Sequence, residues 1–219
     1  MAFQPAENNA MVMGDIVLLE NEIDPVVSQL ITNGLEITAL HNHLFGELPR
    51  VMYLHISGMG NAVQLAQGIK NALSVTNTPF AAHTVSQTLP KNYWNTVEEI
   101  MGKKGNHIGR VIQFSYPRAD VIKEHNIIIP PSMGISQAIN FQAEGQNAAA
   151  TGDFVLTANE VNHVVRTLRE NGITVTAIHN HMLYDSPRLF FLHFWAVDSP
   201  EKLAYALRRA LVQTNTIMR

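Results

Sequence analysis

The alternation of apolar and polar residues predicts two copies of one set of secondary-structure elements. Compact apolar runs predict strands, and apolar residues three or four positions apart predict helices. In the first copy these elements are a strand over residues 15–19, a helix from Asp24 to Asn33, strands over 35–44 and 51–57, and a helix from Asn61 to Leu73. The pattern recurs 138 positions later (179 minus 41). Each copy is therefore predicted to run strand, helix, strand, strand, helix.

Local signals support the predicted ends of these elements. Asp24 precedes Pro25, and this order suits a helix start, because aspartate caps free N–H groups and proline is favourable at the first helical position. In the second copy, Thr157 and Glu160 have the spacing of a capping box. The pair Gly14-Asp15 is interpreted as a turn that precedes the first strand.

The repeat divides the chain into two unequal units. Residues 1–78 are assigned to the first repeat, residues 79–91 to a linker rich in Pro, Ser and Thr, and residues 92–219 to a complete second repeat. The segment from about Asn92 to residue 140 has no counterpart at the start of the chain, so the first repeat is expected to lack its N-terminal segment. The predicted fold is α+β, with mainly antiparallel sheets that carry helices on one face.

Composition excludes several classes of partner. Hydrophobic residues make up 46% of the 219-residue chain, which is ample for a packed core. The net charge is −3 and basic residues cluster only at Lys103-Lys104 and Arg208-Arg209, so no nucleic acid is expected as a partner. No apolar stretch reaches the roughly 18 residues of a membrane helix, so no membrane insertion is expected, and no signal region is visible. Because cysteine is absent, metal binding would depend on His, Asp and Glu.

Three histidines in each copy are predicted to share one face of a sheet. His41 and His43 lie two positions apart on one strand and therefore point the same way, together with Ile37. His55 lies on the next strand, where hairpin pairing would bring it across from the first two, although a bulge could shift the register. The second copy repeats the set at His179, His181 and His193. If helices cover the opposite faces, the two sets of histidines could be turned inward to make a shared cleft.

Clustered imidazoles are typical ligands of transition metals. The acidic residue that follows in the loop, Glu47 or Asp185, is predicted to complete each site as a ligand or a base. The predicted cofactor is a divalent metal, with zinc as first choice and iron, manganese, nickel and copper as alternatives. His-x-His-x-x-x-Glu also occurs in cupins, but the intervening helices favour convergent spacing. Histidines that only form hydrogen bonds within the core are the structural alternative. Four other histidines have no partner at the repeat offset: His83, His107, His125 and His163.

Other residues near the histidines are candidates for binding a ligand. Three arginines each follow a proline and could hold an anionic group through the planar guanidinium: Arg50, Arg118 and Arg188. A salt bridge to the acidic loop residue is an equal alternative for the two arginines in the repeats. Three aromatic residues fall on the histidine face by alternation and could line a pocket, although core packing is commoner: Tyr53, Phe191 and Trp195. The consecutive letters His-Asn-His do not indicate an HNH nuclease, because the stretch is strand-like and lacks basic neighbours.

Five stretches, residues 12–15, 38–44, 49–55, 151–156 and 190–196, closely resemble the DUF1259 family, also called LppY/LpqO, and the resemblance covers essentially the whole chain. It implies a bacterial protein, often exported or lipid-anchored, that is built from two tandem repeats and has no established activity. An extracytoplasmic location, periplasmic or secreted, is expected on this basis. The chain departs from the family pattern by starting near Phe3-Gln4, either because a signal and the first strands were removed or because it is a short variant. It also has Asn61 where an aspartate is expected.

These observations predict a metal-binding, extracytoplasmic protein that binds or processes a small or cell-envelope ligand at the duplicated histidine site. As an enzyme, it would be a metal-dependent hydrolase in which an open metal position activates water. One alternative is a non-catalytic module that binds envelope polysaccharide or peptide, and another is a structural scaffold with core histidines. The reaction, the metal and the oligomeric state, including a homo-oligomer, stay open at this point.

Overall fold

Two helix-covered sheets make up most of the chain that the computed structural model describes, which comprises residues 1–79, 89–90 and 92–218. The first repeat contains, in chain order, β1 (Ala2–Ala6), β2 (Asn9–Leu19), α1 (Ile23–Thr32), β3 (Glu36–His41), β4 (Val51–Gly60) and α2 (Ala62–Leu73). The second contains α3 (Asn95–Met101), β5 (Asn106–Ile108), β6 (Val111–Pro117), β7 (Lys123–Glu124), β8 (Ile127–Ile128), β9 (Ser136–Glu144), β10 (Asn147–Thr157), α4 (Ala158–Glu170), β11 (Thr174–His179), β12 (Asp185–Ser186), β13 (Leu189–Asp198) and α5 (Pro200–Leu211). The predicted linker lies mostly outside the described residues.

The strand order shows how the duplication is built. The first sheet has the order β1-β2-β4-β3, and the second has the order β11-β13-β10-β9-β6-β5. A small third sheet, β12-β7-β8, covers the loop before β13. Neighbouring strands are antiparallel throughout, which confirms the α+β prediction. Within the described residues, none of the helices has both the length and the apolar character needed to cross a membrane.

Each sheet has one face covered by its own helices. In the first repeat, Leu30 of α1 and Ile69 of α2 pack against Leu54 of β4 in a buried core. A separate apolar cluster joins the two repeats on the opposite faces of the sheets, where Met13 of β2 packs in the same cluster as Phe191 of β13. Burying each such side chain contributes roughly 1.5–3 kcal/mol. The faces that carry the histidines are therefore turned toward each other.

Strand β2 is longer than the sequence pattern predicts. It begins at Asn9 and pairs with β4 along its whole length, so Gly14 lies opposite Ile56 in the middle of the ladder. The predicted turn at Gly14-Asp15 is therefore wrong. The two faces of β2 are buried by different partners, its own helices and the second repeat, so Met11, Val12 and Met13 are all buried and the usual alternation is lost.

In both repeats, a glutamate at the equivalent position accepts a backbone hydrogen bond at the start of the first long helix. The capping box is confirmed in the second repeat, where the backbone N–H of Thr157 donates to the carboxylate of Glu160 at 2.7 Å. In the first repeat the equivalent carboxylate is Glu22, which accepts from the backbone N–H of Leu19 at 2.9 Å. The prediction that Asp24 caps this helix is wrong, because Asp24 already lies inside α1.

Candidate metal centre

A β-bulge in β3 sets the direction of the histidine side chains. The register between β3 and β4 shifts between Ile37 and Ala39, so Ile37 pairs with Ile56 whereas His41 pairs with Tyr53. Directly opposite residues of an antiparallel pair share a face. Ile37 therefore lies on the helix-covered face, and the prediction that it shares the face of His41 is wrong, because the extra residue of the bulge reverses the alternation. The second repeat has the same irregularity.

Six histidine rings meet between the two sheets and form what we call the histidine cluster. His41 stacks on His179, with the ring centroids 3.5 Å apart. The other two pairs have centroids 3.7 Å apart and are His43 with His193 and His55 with His181. Measured between ring centroids, the nearest histidine of every ring thus belongs to the other repeat. Exchanging the two repeats maps the His41–His179 pair onto itself and interchanges the other two pairs. The expectation that the two histidine faces meet is confirmed.

The nitrogen atoms of the cluster are close enough to share a metal ion. Among the described residues, two groups have ligand atoms that all lie within 4.8 Å of one another. The first group is His41, His43 and His55, and the second is His179, His181 and His193 together with His41. Each predicted triad is therefore brought together, and the two groups share His41.

Hydrogen bonds at Nδ1 orient the rings and set their tautomers. His41 Nδ1 lies 3.2 Å from the carbonyl oxygen of Asn42, and the equivalent distance at His179 is 3.3 Å. His193 Nδ1 lies 3.2 Å from the carbonyl oxygen of Gly152. Because a carbonyl oxygen can only accept, Nδ1 carries the proton in these three rings and Nε2 keeps its lone pair. This is the arrangement that metal-binding histidines commonly show.

Most of the opposite ring nitrogens have no partner. In the described part of the chain, four buried Nε2 atoms accept and donate no hydrogen bond, namely those of His43, His179, His181 and His193. The exception is the contact of 2.8 Å between the Nε2 atoms of His41 and His55. A buried polar atom without a partner costs about 1–3 kcal/mol. A transition metal would satisfy these lone pairs, so the donor set fits zinc and its neighbours in the periodic table.

The protonation state of the cluster also suits a metal. Burial lowers the pKa of His41 to about 4 and that of His55 and His179 to about 3. Burial, together with the surrounding imidazoles, lowers the pKa of His43 to about 2 and that of His181 well below its ordinary value. A metal and a proton compete for the same lone pair, so rings that are neutral at pH 7 are ready to bind.

Two aspartates that lie beside the cluster are not among the site residues predicted from the sequence. Asp15 pairs with His55 across β2 and β4, and Asp153 pairs with His193 across β10 and β13. Oδ1 of Asp153 lies 2.9 Å from His193 Nδ1. The two carboxylates line a cavity of about 130 Å³ next to the histidines, which is space for about four water molecules. The recurrence of Gly-Asp at the repeat offset was the signal that could have identified them.

Comparison with known families places the chain. The model described as Domain of Unknown Function (DUF1259) matches residues 1–75 and 95–213. The chain belongs to the DUF1259 family. The matched ranges include the whole histidine cluster and the two aspartates. The curated proteins and the solved structures contain no match to the chain. In this DUF1259 protein, the histidine cluster is the feature that bears on function.

The acidic loop residues lie outside the two groups of ligand atoms in the described structure. Asp185 is buried, its Oδ1 accepts from Arg188 at 2.8 Å, and its Oδ2 accepts from the backbone N–H of Leu189 at 2.6 Å. Glu47 reaches the second repeat instead, where it lines a cavity of about 260 Å³ with Trp195. Burial raises the pKa of Glu47, and the nearby Arg50 opposes this. Metal binding by Glu47 or Asp185 stays a prediction.

The three arginines after prolines have different surroundings. Arg188 holds its own loop through Asp185 and the carbonyl oxygen of Met182, as the salt-bridge alternative predicts. Arg50 is exposed and lies 3.7 Å from Glu20 rather than pairing with Glu47. Arg118 is buried and pairs with Asp120 and Glu160 of the second repeat. None of these contacts tests ligand binding by the arginines.

The three aromatic candidates also have different surroundings. Tyr53 stacks on His43 with centroids 3.4 Å apart, and Phe191 stacks on His181 at 3.5 Å. These two rings therefore close the ends of the cluster. Trp195 lies further along β13, where it is partly exposed beside the cavity that Glu47 lines. Of the four scattered histidines, His83 lies outside the described residues, and His107 Nε2 lies 3.0 Å from Glu98 Oε1.

Replacing Asp153 with asparagine should weaken metal binding by about tenfold, because it removes a negative charge that lies 2.9 Å from His193 Nδ1 and would attract a cation to the cluster. The side chain keeps its size, so the fold should be preserved. Competition with a chromogenic chelator measures the affinity, and Asp198→Asn is a suitable control because this aspartate pairs with Lys202 at the far end of β13. Equal affinity of both variants and the parent protein would exclude a role for Asp153.

Proposed function

We propose that this protein binds a transition metal, with zinc as first choice, in the histidine cluster and uses the centre to recognise a small ligand. The observation that carries the proposal is the convergence of buried Nε2 atoms that lack partners. Bound to carbonyl groups through Nδ1, the rings of His41, His179 and His193 are held in the tautomer that a metal requires.

The expected stoichiometry is one ion per chain. His41 belongs to both groups of ligand atoms, and with its Nδ1 engaged it has a single lone pair to offer at Nε2. The two groups therefore cannot be filled independently. The group of four nitrogens provides the full set of ligands that zinc takes in closed, non-catalytic sites. This favours recognition over catalysis as the role of the centre.

The direct test is metal analysis of the purified protein and of two variants, His181→Ala and His43→Ala. His181→Ala removes a ligand of the four-nitrogen group, so the affinity for zinc should fall at least about tenfold if the ion lies there, whereas His43→Ala should have this effect if the ion lies in the three-nitrogen group. His163→Ala, an exposed histidine on α4, is the matched control and should retain full metal content. Unchanged metal content in both cluster variants would refute ligation by the histidines.

A metal-dependent hydrolase is the second candidate, and the cavity beside the histidines favours it. The cavity places Asp15 and Asp153 next to His43, His55 and His181. A bound zinc would supply a polarised water at neutral pH, and the neighbouring carboxylates could accept its proton. A structure of the zinc-loaded protein with a water or substrate ligand in this cavity would favour catalysis over recognition.

A scaffold without metal is the third candidate, and the tight stacking of the rings supports it.

We infer further that the protein acts outside the cytoplasm on a cell-envelope ligand, an inference that depends on the family resemblance alone. Fractionation of cells that express the native gene would test the location. Recovery in the cytoplasmic fraction would contradict it.

A further inference from the structure

A larger cavity, of about 760 Å³, adjoins the first repeat. It lies between the ends of β3 and β4, represented by Glu36 and Ser57, and the turn that joins β7 and β8, which contributes Glu124 and His125. Cavities that bind small molecules are typically of about 300–1,000 Å³. The size of this cavity therefore suits a small organic ligand rather than a lone ion.

The equivalent place in the second repeat has diverged. Ser57 corresponds to Trp195 at the repeat offset, and Glu36 corresponds to Thr174. Trp195 and Thr174 line a smaller cavity of about 260 Å³. A serine in place of the bulky indole accounts for part of the extra room in the first repeat. The two copies have thus kept the histidines in common, while the cavity at the first repeat is about three times as large as the one at the second.

The lining of the large cavity contains several acidic residues. Three carboxylate residues contribute to it, Glu7, Glu36 and Glu124, and none of its described lining residues is a lysine or arginine. Glu124 is only 2% exposed, and its Oε2 has no hydrogen-bond partner among the described residues. Opposite charges attract, and a buried carboxylate gains most from a cation that also donates hydrogen bonds. The cavity therefore disfavours anions and favours an ammonium group.

Apolar residues also line the large cavity. Met11, Met59 and Ile127 contribute side chains to the cavity beside the carboxylates. Ser57 is two residues beyond His55 on the same face of β4, a distance of about 7 Å along the strand. A ligand in the cavity would consequently lie next to the histidine cluster.

We propose that this cavity binds a small organic cation, with a primary ammonium group held by the carboxylates and an apolar body packed against the methionines. The inference rests on the part of the proposed function that gives the protein a small ligand, and it does not require the metal. Metal binding and cation binding can therefore fail separately.

The test uses three six-carbon probes that differ in charge: 1,6-diaminohexane, 1,6-hexanediol and adipate. Isothermal titration calorimetry is carried out at low salt on the full chain, with the metal removed by a chelator and again with zinc restored. The diamine should bind the metal-free protein at least about tenfold more tightly than the diol, and adipate should bind most weakly. Added salt should weaken the diamine alone.

Two variants locate the binding. Ser57→Trp introduces the residue of the other repeat and should strongly weaken diamine binding, because the indole narrows the cavity. Glu36→Gln keeps the size of an exposed side chain and should weaken the diamine at least about threefold without altering the thermal transition, even if Ser57→Trp fails to fold. Glu201→Gln, on the exposed side of α5, is the control and should bind like the parent protein.

Two results would overturn the inference. One is equal binding of the three probes by the metal-free protein. The other is diamine binding that appears only with zinc, disappears in His181→Ala and is unaffected by Glu36→Gln, because the amine would then be coordinating the metal. The second result would leave the proposed metal centre intact.

Discussion

Arg118→Met should lower the free energy of unfolding by about 2–4 kcal/mol, because it leaves two partly buried carboxylates and a buried carbonyl oxygen without their donor. The Arg118 side chain is 1% exposed and donates to Glu160 at 2.8 Å and to Asp120 at 2.9 Å. It also donates to the carbonyl oxygen of Val155 at 2.6 Å. Burial alone would raise the pKa of Glu160, but hydrogen bonds from Arg118 and from backbone N–H groups lower it. Denaturation in urea measures the loss.

The other two arginines that follow a proline serve as graded controls. Arg188→Met should cost about 1–3 kcal/mol, since it removes one bond from the buried Asp185. Arg50→Met should cost less than about 0.5 kcal/mol, because the contact with Glu20 is exposed. A loss for Arg118→Met no larger than that for Arg50→Met would show that the buried ion cluster does not stabilise the second repeat.

Metal-free protein should lose on the order of 3–5 kcal/mol of stability as the pH falls from 6.5 to 5.5. Burial lowers the pKa of His41, His43, His55 and His179 to about 2–4 in the folded state, whereas an unfolded histidine titrates near 6.5. Below pH 6.5 the unfolded chain therefore binds more protons than the folded chain, so the free energy of unfolding decreases as the pH is lowered. Protonation of each ring in the unfolded chain contributes about 1 kcal/mol over this interval.

Urea denaturation in the presence of a chelator, between pH 7.5 and 5.0, measures this dependence. Hydrogen bonds lower the pKa of Asp120 and Glu160 below the ordinary carboxylate values, which are near 4. These two carboxylates therefore titrate below pH 5.5 and do not contribute to the change in stability between pH 6.5 and 5.5. The double variant His43→Ala/His181→Ala should show a shallower dependence. Constant stability between pH 7 and 5.5 would mean that the histidines are not held neutral by burial.

The repeated pattern in the sequence was sufficient to identify the six histidines and most of the elements that carry them. Comparing the copies separated the cluster from histidines such as His107 and His125. The directions of the side chains were less accessible, since the bulge at Thr38 leaves no clear mark in the sequence and moves Ile37 to the helix-covered face. Asp15 was overlooked because Gly-Asp usually signals a turn, whereas burial by the other repeat keeps β2 extended there.

The exchange of partners between the repeats could not be predicted from either copy alone. Each copy presents three histidines, and nothing in its own pattern shows that His43 stacks on His193 rather than on a ring of its own repeat. This choice depends on how two sheets pack, which involves contacts between residues far apart in the chain. The same reason explains why the environment of Glu47 at the second repeat was not foreseen.

Two identical single-repeat chains related by a twofold axis would make the same three ring pairings, because exchanging the repeats leaves the pairings unchanged. In such a homodimer, any substitution appears on both sides at once. Fusion into one chain removes that constraint, and Ser57 and Trp195 are equivalent positions where the two sides differ. A fused pair can therefore specialise one flank while the centre on the axis stays shared.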